Sequence, residues 1–366
     1  MQRDWVIAAP HPERGELARA AGVTPLVAQL LLGRGVCSAA DVRPFLVPEF
    51  KALLPPDALP GACAAADRLV AAVHARRKIV IYGDYDVDGV TATVILWHAL
   101  KLAGADVSFY IPSRLEEGYG LNAEAVERLA ADGTQLLITV DCGITALDEA
   151  RRARELGVAL IITDHHQPGG ELPDADLVVH PAAGTPSANP DLSGAGVALK
   201  IAWALAQRVS GNARVSEAFR DFLLDATTFA ALGLIADVVP LLGENRVITS
   251  FGLRHLGRSV NPGLQALLEV TKLTGKKVYD DYDVGFALAP RLNAVGRMGH
   301  ARLAVELFTR ADADRAREIA TTLDVENRRR QEVERQIVKE AEALVVSGHS
   351  ASASPPAAPP RPLASA

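Results

Sequence analysis

At 366 residues, 49% hydrophobic and 22% charged, the chain is long enough for two lobes of an ordinary globular protein. Its net charge of −6 argues against a protein that simply coats nucleic acid, and no apolar run reaches the ~18–20 residues of a membrane span. The scattered cysteines Cys37, Cys63 and Cys142 exclude a disulfide framework, and a start without a signal-like apolar stretch points to the reducing cytoplasm.

Residues 1–60 read as short helices, one capped by Thr24 with Pro25 in its first turn, another starting at Ser38. A strand–helix rhythm then runs over residues 61–193. A helix at 62–76 leads to a strand at 78–82, a helix at 90–103, a strand at 106–110 and a helix capped by Asn122. A strand at 135–140, a helix at 145–156 and strands at 158–162 and 176–180 follow. Nearly wholly apolar strands alternating with helices imply an α/β class fold with a doubly wound, parallel, five-stranded sheet. From residue 194 to 311 the pattern is helical, with segments at 195–210, 216–232, 244–257, 261–271 and 300–310. Residues 312–346 lack Pro and Gly and read as one charged connector helix. The Ser/Ala/Pro-rich tail, 347–366, reads as disordered.

Ligands of parallel sheets bind at the carboxyl ends of the strands. Here those ends carry Asp84, Asp86 and Asp88 after the first strand, Asp141 after the third, and Asp164, His165 and His166 after the fourth; Asp237 sits in a later apolar stretch. An EF-hand reading of the Asp84–Asp88 loop fails, because its twelfth position is Ile95 rather than a bidentate Glu. Asp141 alone is as readily a helix cap, and Asp237 alone a buried acid tied to amides. Together these residues make a carboxylate-rich set with imidazole and no thiolate. Such a set suits Mn²⁺ or Mg²⁺, is compatible with Zn²⁺ or Co²⁺, and has charge for two ions. Adjacent residues of an extended segment point opposite ways, so one of His165 and His166 should bind metal and the other face a phosphate.

The segments 83–91, 141–143 and 164–166 resemble, in order, the first three motifs of the DHH phosphoesterase superfamily. Segments 111–120, 235–246 and 289–298, with Trp5 and the 53–57 stretch, are similar to the RecJ family within it. The resemblance covers roughly residues 1–346. It implies that Asp86 binds one ion and Asp88 the other, that Asp141 bridges them, and that His165 and Asp237 complete the second site. Asp84 would ligate directly or support a ligand. His166 would contact the phosphate, making Asp141 and His166 the catalytic pair. Arg114, Arg291, Arg297 and Asn293 become candidate DNA contacts, while Tyr85 and Tyr119 suit base stacking or, more readily, core or rim packing. Some relatives carry His where this chain has Tyr82, and a phenol is a poor Mn²⁺ ligand, so the first ion is expected to lean on water or Asp84.

The implied activity is two-metal hydrolysis of terminal phosphodiesters in single-stranded DNA, 5′→3′, in repair and recombination. A single-stranded-DNA-binding protein and a helicase are the implied partners. The superfamily also admits enzymes acting on short oligoribonucleotides, cyclic dinucleotides or pyrophosphate, and a weakly catalytic scaffold is the alternative from another class. The family's DHH-associated and oligonucleotide-binding domains are expected to be missing after the connector helix, which should weaken the grip on DNA.

Overall fold

The computed structural model describes residues 7, 9–114, 117–184, 187–297 and 301–346. The tail at 347–366, Trp5, Met298 and the side chain of Arg297 lie outside the described residues.

Three short helices come first: α1 (Arg14–Ala21), α2 (Pro25–Leu32) and α3 (Ala39–Leu46). Thr24 caps α2 by accepting from the Val27 amide, and Ser38 caps α3 at Ala40. The layered part follows as α4 (Ala62–His74), β1 (Ile79–Tyr82), α5 (Val87–Leu102), β2 (Val107–Tyr110), α6 (Ala123–Ala131), β3 (Leu136–Thr139), α7 (Leu147–Glu155), β4 (Ala159–Thr163) and β5 (Leu177–Val179). All pairings are parallel, in the order β2-β1-β3-β4-β5. That order puts the topological switch point between β1 and β3, where neighbouring connections leave on opposite faces and open a crevice.

Side chains alternate across the sheet with period two. Ile79, Ile81, Ile138 and Ile161 enter a large core with α4, α5 and the later helices. Val80, Tyr82, Leu137 and Ile162 enter a smaller core beneath α6 and α7. Both faces are therefore dry, as the unbroken apolar strands require.

The helical part comprises α8 (Gly194–Ser210), α9 (Glu217–Ala236), α10 (Gly243–Leu256), α11 (Pro262–Val270), α12 (Ala289–Arg297), α13 (Ala301–Thr309) and α14 (Ala313–Val346). Residues 272–299 were expected to hold no element, yet a π-helical turn, Asp283–Leu288, runs directly into α12. Gly285, Pro290 and Gly296 interrupt the apolar period there. The wider turn carries the chain past the proline, with the Ala289 amide reaching back to the Val284 carbonyl. Helix α14 has two unlike halves. Ala316, Ile319, Ala320 and Leu323 are buried, whereas from Gln331 to Val345 every side chain is exposed.

Candidate metal centre

Each acid is placed by a distinct local device. Asp86 is the N-cap of α5, its Oδ1 accepting from the Gly89 amide at 3.0 Å, which turns the chain sharply at the end of β1. Asp88 lies in the first turn of α5 and is itself a cap for α8. Its carboxylate accepts from Ser193 Oγ at 2.8 Å and from the amides of Gly194 and Ala195 at 2.5 and 3.1 Å. Asp141, just past β3, adopts a left-handed backbone with φ 62°, which Asp tolerates better than most residues. Asp237 closes α9, and Val238 after it takes φ 60°. A β-branched residue in that region is strained, and here the strain ends α9 at the edge of the cavity.

These side chains converge. Asp84, Asp86 and Asp141 bring ligand atoms within 4.8 Å of one another, and so do Asp88, His165 and Asp237, and Asp141, His165 and His166. The triads meet where His165 Nε2 lies 3.0 Å from Asp141 Oδ1 and 3.6 Å from both Asp88 Oδ2 and Asp237 Oδ2. Two glycines make this approach possible. A Cβ on Gly194 would fall 2.6 Å from Asp141 Cβ, and one on Gly233 only 2.3 Å from Asp88 Oδ1.

The decisive feature is polar atoms left without partners. Asp141 is 1% exposed, and neither of its carboxylate oxygens has a hydrogen-bond partner among the described residues. Asp84 Oδ1 and His165 Nε2 share that condition. His165 Nε2 is near three carboxylates, yet its geometry makes a hydrogen bond to none. An unsatisfied buried carboxylate costs several kcal/mol, so such a group is retained where a cation completes it. The donor set, all oxygen and imidazole, fits a hard divalent ion such as Mn²⁺ or Mg²⁺. The helix-cap reading of Asp141 does not hold, because α7 has no side-chain cap.

Burial shapes the electrostatics. It pushes the Asp84 carboxyl up to about 7, with the charge of Asp86 adding to the effect. Burial likewise pushes Asp88 up to about 6 against the pull of His165. Asp141 rises well above the usual carboxylate range through burial and then through Asp88 and Asp86. Burial also raises Asp237. Asp164 behaves oppositely. Burial alone would raise it, but the hydrogen bond from His166 and that residue's charge hold it below its ordinary value.

Asp164 organises the loop after β4. Its Oδ1 accepts from the amides of His165 and His166 at 2.7 and 3.1 Å and from His166 Nδ1 at 2.8 Å; its Oδ2 accepts from the Ile144 amide at 2.9 Å. The two imidazoles lie side by side, His165 deeper with an 11% exposed side chain and His166 shallower with 42%, its Nδ1 still 3.9 Å from Asp141 Oδ1. The bond to Asp164 raises the His166 pKa and favours imidazolium. Around His166 stands an exposed rim. Tyr119 Oη is 3.1 Å from His166 Nε2, Tyr119 meets Tyr85 edge-on at 6.2 Å, and the Arg114 guanidinium lies 5.0 Å over the Tyr85 ring.

Three expectations meet different surroundings. Arg291, expected to face DNA, is committed within the protein: Nε donates to Asp324 at 2.9 Å and Nη1 to the Ala287 carbonyl at 2.6 Å, tying α12 to α14. Asn293 uses its Oδ1 to accept from the Val87 amide at 3.1 Å, so it seals the N-terminus of α5 beside Asp86. Tyr82 is no substitute ligand. Its hydroxyl donates to the Gly120 carbonyl at 2.9 Å and accepts from Asn122 at 3.1 Å, on the opposite face of the sheet, while Asp84 stands with Asp86 and Asp141. Sequence reasoning overlooked Ser193. Its place just before a helix could have marked it as a cap, although its second contact, with Asp88, joins residues 105 apart in the chain.

A parallel sheet with acids and imidazoles gathered at its switch point defines a DHH-type protein, and the profile of the DHH family, N-terminal domain, matches residues 78–228. The single-stranded-DNA-specific exonuclease RecJ of Bacillus subtilis is 43% identical over 93% of this chain. A crystal structure of exonuclease RecJ bound to manganese superposes with a TM-score of 0.70 at 40% identity, over 78% of this chain and 70% of that one. RecJ from Thermus thermophilus in complex with Mn²⁺ gives a TM-score of 0.75 at 36% identity, over 90% of this chain and 45% of that one. The chain belongs to the RecJ family. It spans 42% of the length of the Bacillus subtilis relative.

Proposed function

We propose that this chain carries the catalytic core of a metal-dependent exonuclease that hydrolyses the terminal phosphodiester of single-stranded DNA, 5′→3′. The observation that supports it is the unpartnered Asp141 carboxylate facing an unpartnered His165 Nε2 in a RecJ-family fold. Asp84, Asp86 and Asp141 would hold one Mn²⁺ or Mg²⁺, and Asp88, Asp141, His165 and Asp237 the other. Bound there, the ions would supply an activated water and positive charge for the phosphoryl oxygens.

The remaining chemistry belongs to the chain itself. His166, biased toward imidazolium by Asp164, offers its Nε2–H to a phosphate oxygen at the cavity mouth, where Tyr119 already sits within hydrogen-bond reach. Asp88 cannot drift, because three hydrogen bonds from the start of α8 fix it. The Arg114 guanidinium gives the rim a cation for the polyanion. Arg297 follows Gly296, whose backbone packs against Tyr85, and remains a candidate phosphate contact, while Arg291 and Asn293 act by holding α12 in place. Repair and recombination, a single-stranded-DNA-binding protein and a helicase as partners, and a cytoplasmic setting complete the proposal. No described helix is long and apolar enough to cross a membrane.

The test is end-labelled single-stranded DNA, duplex DNA, short RNA and cyclic dinucleotides, each with Mn²⁺ or Mg²⁺. Mononucleotide release from single-stranded DNA is the expected result. Turnover of cyclic dinucleotides or short RNA in its place would contradict the proposal.

A further inference from the structure

His180 follows the end of β5, is 3% exposed, and belongs to none of the three ligand triads. Both its ring nitrogens are engaged. Nδ1 accepts from the amides of Ala182 and Ala183 at 3.0 and 2.9 Å, and Nε2 lies 2.8 Å from the carbonyl oxygen of His166. An atom that accepts two N–H groups carries no proton, so the proton is on Nε2 and is donated to His166. Burial lowers the His180 pKa, which suits this neutral, single-tautomer ring.

We propose that His180 is a positioning residue for His166. The amide side of His166 is pinned by Asp164, which also holds the ring. The carbonyl side is pinned by His180. Together they fix the backbone of the residue whose ring stands between the metal cavity and the rim. Asp88 and Asp86 are braced elsewhere, by the start of α8 and by the cap of α5, and His165 keeps its own amide bond to Asp164. Loss of the His180 contact therefore moves the phosphate contact and spares the ligand set. The kinetic part of this inference rests on the reading of His166 given above.

Two substitutions separate the nitrogens. His180→Asn keeps an acceptor near the Nδ1 position and loses the donor to His166. His180→Gln keeps a donor near Nε2 and loses the acceptor for Ala182 and Ala183. In the full chain with Mg²⁺, His180→Asn is expected to lower kcat about 10-fold, in line with the cost of small misplacements, with KM near the parent value and a loss in Tm no larger than that of His180→Gln, since it forfeits one hydrogen bond rather than two. His180→Gln should keep kcat within about 3-fold and lose a few degrees in Tm, since it forfeits hydrogen bonds made outside the site. Activity that simply tracks stability across the pair would overturn the proposal. In a His166→Ala background, His180→Asn should have no further effect on kcat; additive losses would show that His180 acts elsewhere.

Two further readouts do not need turnover. Long-range proton–nitrogen NMR of the Mg²⁺-loaded chain should show His180 protonated on Nε2 and bare on Nδ1, and the reverse tautomer would refute the contact. A crystal structure of His180→Asn should show the His166 ring displaced; an unmoved ring contradicts the proposal even if the parent chain proves inactive on single-stranded DNA.

Discussion

The floor of the cavity and its rim are built by opposite physical rules. On the floor, Asp88, Asp141 and His165 are nearly or wholly buried, and the Asp141 carboxylate and His165 Nε2 have no hydrogen-bond partner among the described residues. On the rim, His166, Tyr119 and Arg114 are half-exposed or exposed, and His166 has its pKa raised by Asp164. A floor that is costly to leave empty is suited to hold cations. A rim that is solvated and cationic is suited to meet a polyanion that comes and goes. The difference separates ion binding from substrate contact within a few ångströms, through two imidazoles whose centroids are 4.6 Å apart.

The strongest way to break this division is at Asp141. Asp141→Asn preserves shape and suits a left-handed backbone, so the fold should survive while hydrolysis falls by at least about 10³-fold through loss of metal-ion catalysis. The same substitution removes a buried unpaired charge, so the metal-free chain should melt higher than the parent and gain little from Mn²⁺. A lower melting point without metal would show that Asp141 stabilises the fold rather than straining it.

A smaller loss is expected on the rim. His166→Ala should reduce turnover by roughly 10²-fold, the usual size of a lost charge-assisted transition-state contact. Calorimetry should still find the parent's number of Mn²⁺ ions. Loss of an ion would move His166 onto the floor and erase the distinction. Arg114→Ala should act mainly on KM, raising it several-fold and flattening the salt dependence, with kcat little changed.

The floor should also show in the pH dependence. Asp84 and Asp88 are raised to about 7 and about 6 from 3.8. Protons are therefore held more tightly by the folded chain. Their contribution to metal-free stability is present at low pH and is lost as pH climbs from the unfolded value through these raised ones. Mn²⁺ competes with the same protons, so the rise in Tm on adding Mn²⁺ should grow between about pH 6 and 8. A shift independent of pH would mean that ionised, solvated acids hold the ion. The mildest effect is remote: Arg291→Ala should loosen α14, moving the onset of proteolysis N-terminally from the exposed half towards Asp324, with KM for DNA unchanged. A raised KM would restore Arg291 as a DNA contact.

Much of the floor was legible in the sequence because acids after apolar strands have few places to go. Parallel strands such as 78–82 and 135–140 put their carboxyl ends side by side, and a doubly wound order brings Asp84–Asp88 and Asp141 to the switch point. Asp237 was visible only as an acid in an apolar run; that it ends a helix, with strained Val238 behind it, needed the packing of α9. The rim was less legible. Arg291 and Asn293 look like substrate contacts in a motif, but their partners, Asp324 and the Val87 amide, are 33 and 206 residues away. Such long-range pairings leave no local pattern, and neither does the contact from His180 to the His166 carbonyl. The π turn was hidden for a different reason: Gly285, Pro290 and Gly296 blur the helical period that packing nonetheless enforces.

The central claim is that the floor alone holds the ions. Anomalous diffraction from crystals grown with Mn²⁺ tests it most directly. Two peaks about 3.5–4 Å apart are predicted, one against Asp84, Asp86 and Asp141, the other against Asp88, Asp141, His165 and Asp237, with neither bound to His166. A single peak, or a peak coordinated by His166, would contradict the account.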